Sequence, residues 1–176
     1  MEARREMTHK IPDDMFVEKP SDNSDEIIII ESEEADAAGI LRLQYAAYQS
    51  EAELYDNFNI QPLTQTIDEL LAEYRKGAVL KAVLRDEIIG SVRIHRDGDT
   101  VYIGKLIVHP DRQGRGLGSR LLAEAERMFA SNRYELFTGS KSASNLHIYE
   151  KAGYSRFKEK TAEPGLIFVY MEKIVK

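Results

Sequence analysis

Gln113-Gly114-Arg115-Gly116-Leu117-Gly118 sets three glycines at alternate positions of one short stretch. Backbone of that composition can approach a ligand closely, and successive N–H groups ahead of a helix can hold a phosphate-type anion. Arg112 and Arg115 bring positive charge to the same stretch, although both also fit as solvated loop arginines. Other chemistries are poorly served. The chain has no Cys, which removes disulfides, thiolate nucleophiles and thiolate metal sites. Its four histidines are scattered without a His-x-x-x-His pair, so no metal site is expected. His109, next to Pro110, suits a loop-shaping role, and His95 a strand position.

The elements flanking the glycines follow from periodicity. Val101 to Val108 is a β-branched, apolar run that stops at His109-Pro110-Asp111, and it predicts a strand. Leu117, Leu121, Leu122, Ala125, Met128 and Phe129 recur at helical spacing. The glycines therefore lie between a strand and a helix start. Within the strand, Val101 and Ile103 are apolar on odd positions, but Leu106, Ile107 and Val108 follow without alternation. This phase slip at Gly104-Lys105 predicts a β-bulge, which can splay the strand from its next neighbour and leave backbone groups for a ligand.

Upstream, Ile27 to Ile30 predicts a first strand and Ala35 to Ser50 a helix with Leu41, Tyr45 and Tyr48 on one face. Glu51 to Pro62 looks irregular. Ile67 to Arg75 predicts a short helix, capped by Thr64 or Thr66 and ended by Gly77. Ala78 to Leu84 and Ile88 to His95 are strands about Arg85-Asp86-Glu87, with Gly90, Val92 and Ile94 on one face of the second and Ser91, Arg93 and His95 on the other. The turn Arg96-Asp97-Gly98-Asp99 completes an antiparallel meander. Downstream come a strand at Tyr134 to Thr138, a helix at Asn145 to Ala152 ended by Gly153, and strands at Arg156 to Lys160 and Leu166 to Glu172. The expected fold class is α+β: a mostly antiparallel, mixed sheet of six to seven strands with helices on both faces. A helix joins strand 100–108 to strand 134–138, so these two should be a central parallel pair.

The 176 residues suit one core, and 43% hydrophobic with 31% charged residues is an ordinary profile for a soluble chain. Net charge is −6, of which −4 falls in residues 1–26. That charged stretch, with Pro12 and Pro20, is expected to be a flexible arm ahead of a domain at 27–176. No apolar run reaches membrane-spanning length, and the charged N-terminus lacks a signal-peptide core. No basic stripe points to nucleic acid. A cytoplasmic location is compatible with the absence of Cys.

Two phosphate-loop readings fit poorly. A Walker A loop needs Lys after its last glycine, and here Gly118 is followed by Ser119-Arg120. A Rossmann fingerprint opens a βαβ unit with a third glycine, whereas Ser119 holds that position and a meander precedes it. Taken alone, a glycine-rich turn is as often only a turn. However, Gln113-x-x-Gly116-x-Gly118 resembles the Q/R-x-x-G-x-G/A loop of the GCN5-related N-acetyltransferase (GNAT) superfamily. Asn145-Leu146-His147-Ile148-Tyr149-Glu150-Lys151-Ala152-Gly153-Tyr154 is similar to that superfamily's second block, at the expected separation. The resemblance covers roughly residues 27 to 174.

The resemblance implies an N-acetyltransferase that takes acetyl-CoA as co-substrate and uses no metal. It implies that backbone of Leu106, Ile107 and Val108 lies along the pantetheine arm. Backbone N–H groups of Gln113, Gly114, Arg115, Gly116, Leu117, Gly118 and Ser119 would then meet the pyrophosphate. Asn145 matches the family residue at the pantetheine–cysteamine region, and is also suited to capping a helix. Tyr149 matches the tyrosine that protonates the departing CoA thiolate; its plainer alternative is a core tyrosine beside Leu146. The acetyl group would pass by direct attack of an amine on a small molecule, peptide or protein. Family members often carry a Glu on the strand before the loop, but Tyr102 and Gly104 stand at the two positions of interest, so no base is assigned. Glu51, Glu53 and Asp56 are substitutes, and Tyr45, Tyr48 and Tyr55 with the 51–62 segment should line the acceptor side, where aromatics and carboxylates would suit a cationic amine. The missing Glu keeps open a second class, a non-catalytic acyl-CoA-binding module. An exposed strand edge would allow a homodimer.

Overall fold

The computed structural model describes residues 26–176. The expected arm at 1–26 therefore lies outside the described residues, apart from Glu26. The chain forms β1 (Ile27–Glu31), a 3-10 turn (Glu34–Asp36), α1 (Ala37–Ala47), α2 (Gln49–Tyr55), α3 (Gln61–Thr64) and α4 (Ile67–Tyr74). It continues through β2 (Ala78–Leu84), β3 (Glu87–Asp97), β4 (Thr100–Val108), a 3-10 turn (Pro110–Arg112) and α5 (Leu117–Met128). It ends with β5 (Arg133–Gly139), α6 (Ala143–Lys151), β6 (Ser155–Glu163) and β7 (Leu166–Ile174).

Seven strands form one sheet in the order β1-β2-β3-β4-β5-β7-β6. All neighbours are antiparallel except β4 and β5, the expected parallel pair. One face packs on α5 through Leu117, Leu121, Leu122 and Ala125, and the apolar side chains of α6 join the same core. A Cβ on Gly90 would lie 2.8 Å from Leu121 Cδ1, so a side chain there would force the Leu121 side chain to shift. The other face packs on α1 and α4 through Ile40, Leu41, Leu70 and Val79, and on Leu43 and Ala47 against Ile107.

The bulge falls where the phase slip predicts it. Arg93 pairs with Gly104 and Ser91 with Ile107, so Lys105 and Leu106 together oppose Val92, and Lys105 takes φ 45°. Beyond Tyr102, β4 and β5 separate: their ladder is only Thr100–Arg133, Val101–Tyr134 and Tyr102–Glu135. The strand edge from Ile103 to Val108 that faces β5 has no ladder partner.

Two local expectations need correction, and a third point is decided between two alternatives. The first helix breaks at Tyr48, and α2 then occupies the first part of the stretch expected to be irregular. Asp56 caps α2 in the left-handed region at φ 50°, which short polar side chains tolerate, and so it looks like loop in sequence. Gly77 does not end α4 through a left-handed turn. It is needed because a Cβ there would lie 2.0 Å from the Ile94 carbonyl oxygen. Of the two threonines expected as caps, Thr66 caps α4, in a reciprocal pair with Glu69. Among the described residues, no helix is long and apolar enough to cross a membrane.

Candidate active site

The split between β4 and β5 opens into a cavity of about 910 Å³. Its floor includes Arg93, His95, Tyr102, Gly104, Lys105 and Leu106, and its walls come from α2, α4, β5, α6 and β7. His95 stacks on Tyr102 with ring centroids 4.9 Å apart, so the histidine is part of the cavity floor.

Tyr149 reaches this cavity from α6, buried to 6% exposure. Its ring packs on Tyr154, centroids 6.1 Å apart. Its hydroxyl has no hydrogen-bond partner among the described residues. Because no side-chain polar atom there is both sealed and unpaired, that hydroxyl must open to the cavity. Burial pushes its pKa upward, and the nearby Tyr48 and Glu51 push the same way, so Tyr149 keeps its proton. Asn145 also lines the cavity, but it does not cap the helix. It sits at the third position of α6 and donates to Thr138 Oγ1 at 3.3 Å, while Ser142 precedes the helix.

Two contacts dock α2 over this end of the sheet. Ser142 donates to Glu51 Oε2 at 2.6 Å, and the Lys141 N–H donates to the Tyr55 hydroxyl at 2.7 Å. Of the three candidate carboxylates, only Glu51 lines the cavity; Glu53 and Asp56 are exposed. Of the three tyrosines, Tyr48 and Tyr55 line it, whereas Tyr45 donates to the Gln65 carbonyl at 2.6 Å away from it. Burial pushes Tyr48 up to about 12, against the pull of Arg93 and with the push of Glu51 and Glu73.

A polar cluster beneath α1 and α4 carries no motif and was not anticipated. Gln65 Oε1 accepts from Gln44 Nε2 at 3.0 Å, Arg93 Nη1 at 3.0 Å and Lys105 Nζ at 2.8 Å. Glu73 pairs with Arg93 and, at 3.1 Å, with Lys105. Burial opposes the charge on Glu73, but Arg93 and Lys105 overcome it and hold the carboxyl below its usual range. Arg93 stands among apolar residues on a strand, alternating with Ser91; a charge there needs buried partners, and that was the available signal.

The glycine-rich turn lies beyond the cavity, at the C-terminal end of β4. Gln113, Gly114, Arg115, Gly116 and Ser119 are exposed, while the Leu117 side chain is in the core. Gly114 and Gly116 take φ 72° and 78°, and a Cβ on either meets no heavy atom within 4 Å. Glycine is thus required by conformation at these positions, not by crowding. Gly118 has ordinary φ, and its Cβ would sit 3.5 Å from Ile148 Cδ1, which sets the turn beside α6. Gly116 precedes α5 without a side-chain cap, leaving the first N–H groups of the helix to an outside acceptor. Leu106, Ile107 and Val108 join turn to cavity. Ile107 points its side chain at α1, Leu106 lines the cavity, and the Val108 carbonyl accepts from Gln113 Nε2 at 3.1 Å.

A family model described as an acetyltransferase (GNAT) domain matches residues 26–175. The UPF0157 protein YqkA of Bacillus subtilis (strain 168) is 24% identical over 132 residues, covering 74% of this chain and 38% of YqkA. The chain thus spans well under half the length of that relative. Among solved structures, the PaiA N-acetyltransferase of Thermoplasma acidophilum in complex with coenzyme A matches with TM-score 0.71 at 16% identity, over 85% of this chain and 99% of that one. YncA of Salmonella typhimurium, solved with acetyl-CoA, matches with TM-score 0.67 at 20% identity, over 86% of this chain and 95% of that one. These two share the fold. With the model match running over nearly all described residues, the chain belongs to the GNAT acetyltransferase family.

Proposed function

We propose that the protein is an N-acetyltransferase that moves an acetyl group from acetyl-CoA to an amine by direct attack. The observation that carries this reading is the position of the Tyr149 hydroxyl, protonated and open to the cavity where β4 leaves β5. The donor side fits a CoA-type ligand: an uncapped helix N-terminus for the pyrophosphate and an unpaired strand edge for the amide-bearing arm. In this reading, Gln113 to Ser119 hold the pyrophosphate, and Leu106, Ile107, Val108 and Asn145 guide the arm. Acetyl-CoA supplies an activated thioester.

On the acceptor side, Glu51 attracts the ammonium form and takes its proton, directly or through water. It replaces the carboxylate that Tyr102 and Gly104 do not supply. Tyr149 donates its proton to the leaving thiolate. A buried phenol is a sound acid here, since its proton stays on until negative charge develops beside it. Turnover leaves Tyr149 deprotonated and Glu51 protonated, and solvent in the cavity returns both. We take residues 27–176 as the catalytic unit, acting in the cytoplasm, without metal, nucleic acid or membrane. A homodimer would form through the open sheet edge at β6, which is exposed along its length.

The test is thiol release from acetyl-CoA across a panel of amines, peptides and protein lysines, beside calorimetric binding of CoA. Amine-dependent thiol release supports the reading. Tight CoA binding with no turnover on any acceptor would make the chain an acyl-CoA-binding module instead.

A further inference from the structure

Apart from Glu135, paired with Arg133, and Glu163, which accepts from Asn57, the charged groups lining the cavity fall at two places of opposite sense. On one side is Glu51, held by the Ser142 hydroxyl and without an ion-pair partner among the described residues. On the other are Arg93 and Lys105, two cations that share the single carboxylate of Glu73. The remaining polar groups of the cluster are the neutral amides of Gln44 and Gln65. Glu69 also favours the Lys105 cation, but from outside direct contact, with its carboxylate on the Thr66 N–H at 2.8 Å. Lys76 adds a further positive charge to the same wall.

Arg93 is 8% exposed, and the Lys105 side chain is 17% exposed, so neither charge is fully hydrated by bulk water. Burial and the neighbouring Arg93 both disfavour the Lys105 charge, with Glu73 only partly compensating. Counting only groups in direct contact, two cations share one carboxylate, an excess of one positive charge in a partly desolvated wall where an opposite charge interacts strongly. A ligand anion of unit charge would balance it.

We propose that the acceptor is an amino-carboxylate, its carboxylate on Lys105 and Arg93 and its amine toward Glu51 and Tyr149. This rests on the acetyl-transfer reading for the fate of the amine, but the carboxylate subsite stands or falls by binding alone. Lys105 is the more adaptable contact, because its three donors are met at Gln65 and Glu73 by only two acceptors. The bulge matters here too. With φ 45° at Lys105, β4 turns this side chain to the acceptor face beside Gly104, where the absent side chain leaves room above Arg93.

The experiment is calorimetry on the CoA-saturated full chain. Glycine, β-alanine, 4-aminobutyrate, phenylalanine and lysine are each compared with the amine lacking the carboxylate. At least one acid should bind tenfold or more tightly than its decarboxylated partner, and Lys105→Met should cut that ratio at least tenfold. Lys105→Arg, which keeps the charge, should retain most of it and guards against a merely misfolded variant. Equal binding within every pair, no binding by any acid, or a preference that survives Lys105→Met would overturn the proposal. Selective binding of an acid with no thiol release from acetyl-CoA would keep the subsite and overturn the acetyl-transfer reading instead.

Discussion

Tyr149 and Glu51 illustrate how a residue acquires a role from its surroundings. A phenol without a partner, opening to a cavity, is a proton donor in waiting. A carboxylate oriented by one serine hydroxyl keeps lone pairs for a substrate. The glycines divide by their reasons. Gly116 at φ 78° should resist substitution: Gly116→Ala costs about 1–2 kcal/mol if the loop keeps its shape, or changes the shape and weakens CoA binding. Gly118→Ala should be nearly silent in fold stability, since its Cβ meets Ile148 at ordinary contact distance. Urea unfolding together with CoA titration of the two variants separates the cases. Tyr149 was legible in the sequence only through its neighbours in a motif. Glu51 was one of three equivalent acids until the turn of α2 aimed it and left Glu53 and Asp56 outside.

At the scale of elements, β4 and α4 decide what the site can be. The bulge in β4 was readable as a break in alternation, because the side-chain period of a strand is fixed. The cluster of Gln44, Gln65, Glu73, Arg93 and Lys105 was not. Its members come from α1, the turn before α4, α4, β3 and β4, and no local pattern links positions so far apart in the chain. The depressed pKa of Glu73 gives it a pH signature. A carboxyl depressed in the folded state stabilises above its unfolded pKa, and the contribution is lost as pH falls through the folded value. Glu73→Gln should therefore lower stability clearly at pH 7, and the gap to the parent chain should narrow once pH falls below about 4, where the unfolded carboxyl takes up its proton. Denaturant unfolding of both proteins at the two pH values checks this. A gap that stays constant would mean that Glu73 acts through packing alone.

Over the whole molecule, the sheet serves as both core and binding frame. α5 closes the core through Leu117, Leu121, Leu122 and Ala125, and the N-terminus of the same helix faces the glycine turn. If the donor binds at that turn as proposed, stability and donor binding are coupled through one helix. Leu121, fully buried against Gly90, is the natural probe. Leu121→Ala should cost about 3 kcal/mol, a fall in Tm of roughly 6–12 °C for a chain of this size, and CoA should recover part of it by mass action. The antiparallel meander, the parallel pair and helices on both faces were legible, since each follows from periodicity and short connections; the placing of β7 between β5 and β6, and the exposure of Tyr45 on α1, were not. The splay of β4 from β5 was legible only as a consequence of the bulge, and the break of the first helix at Tyr48 was not legible at all. In the proposed reaction, Tyr149 protonates the leaving thiolate of a bound acyl-CoA. Turnover of Tyr149→Phe at saturating acetyl-CoA, measured beside CoA affinity, tests it most directly. With Tyr149 as the acid, kcat should fall by about 100-fold or more, with affinity within about threefold of the parent chain. Unchanged turnover in the variant would contradict it.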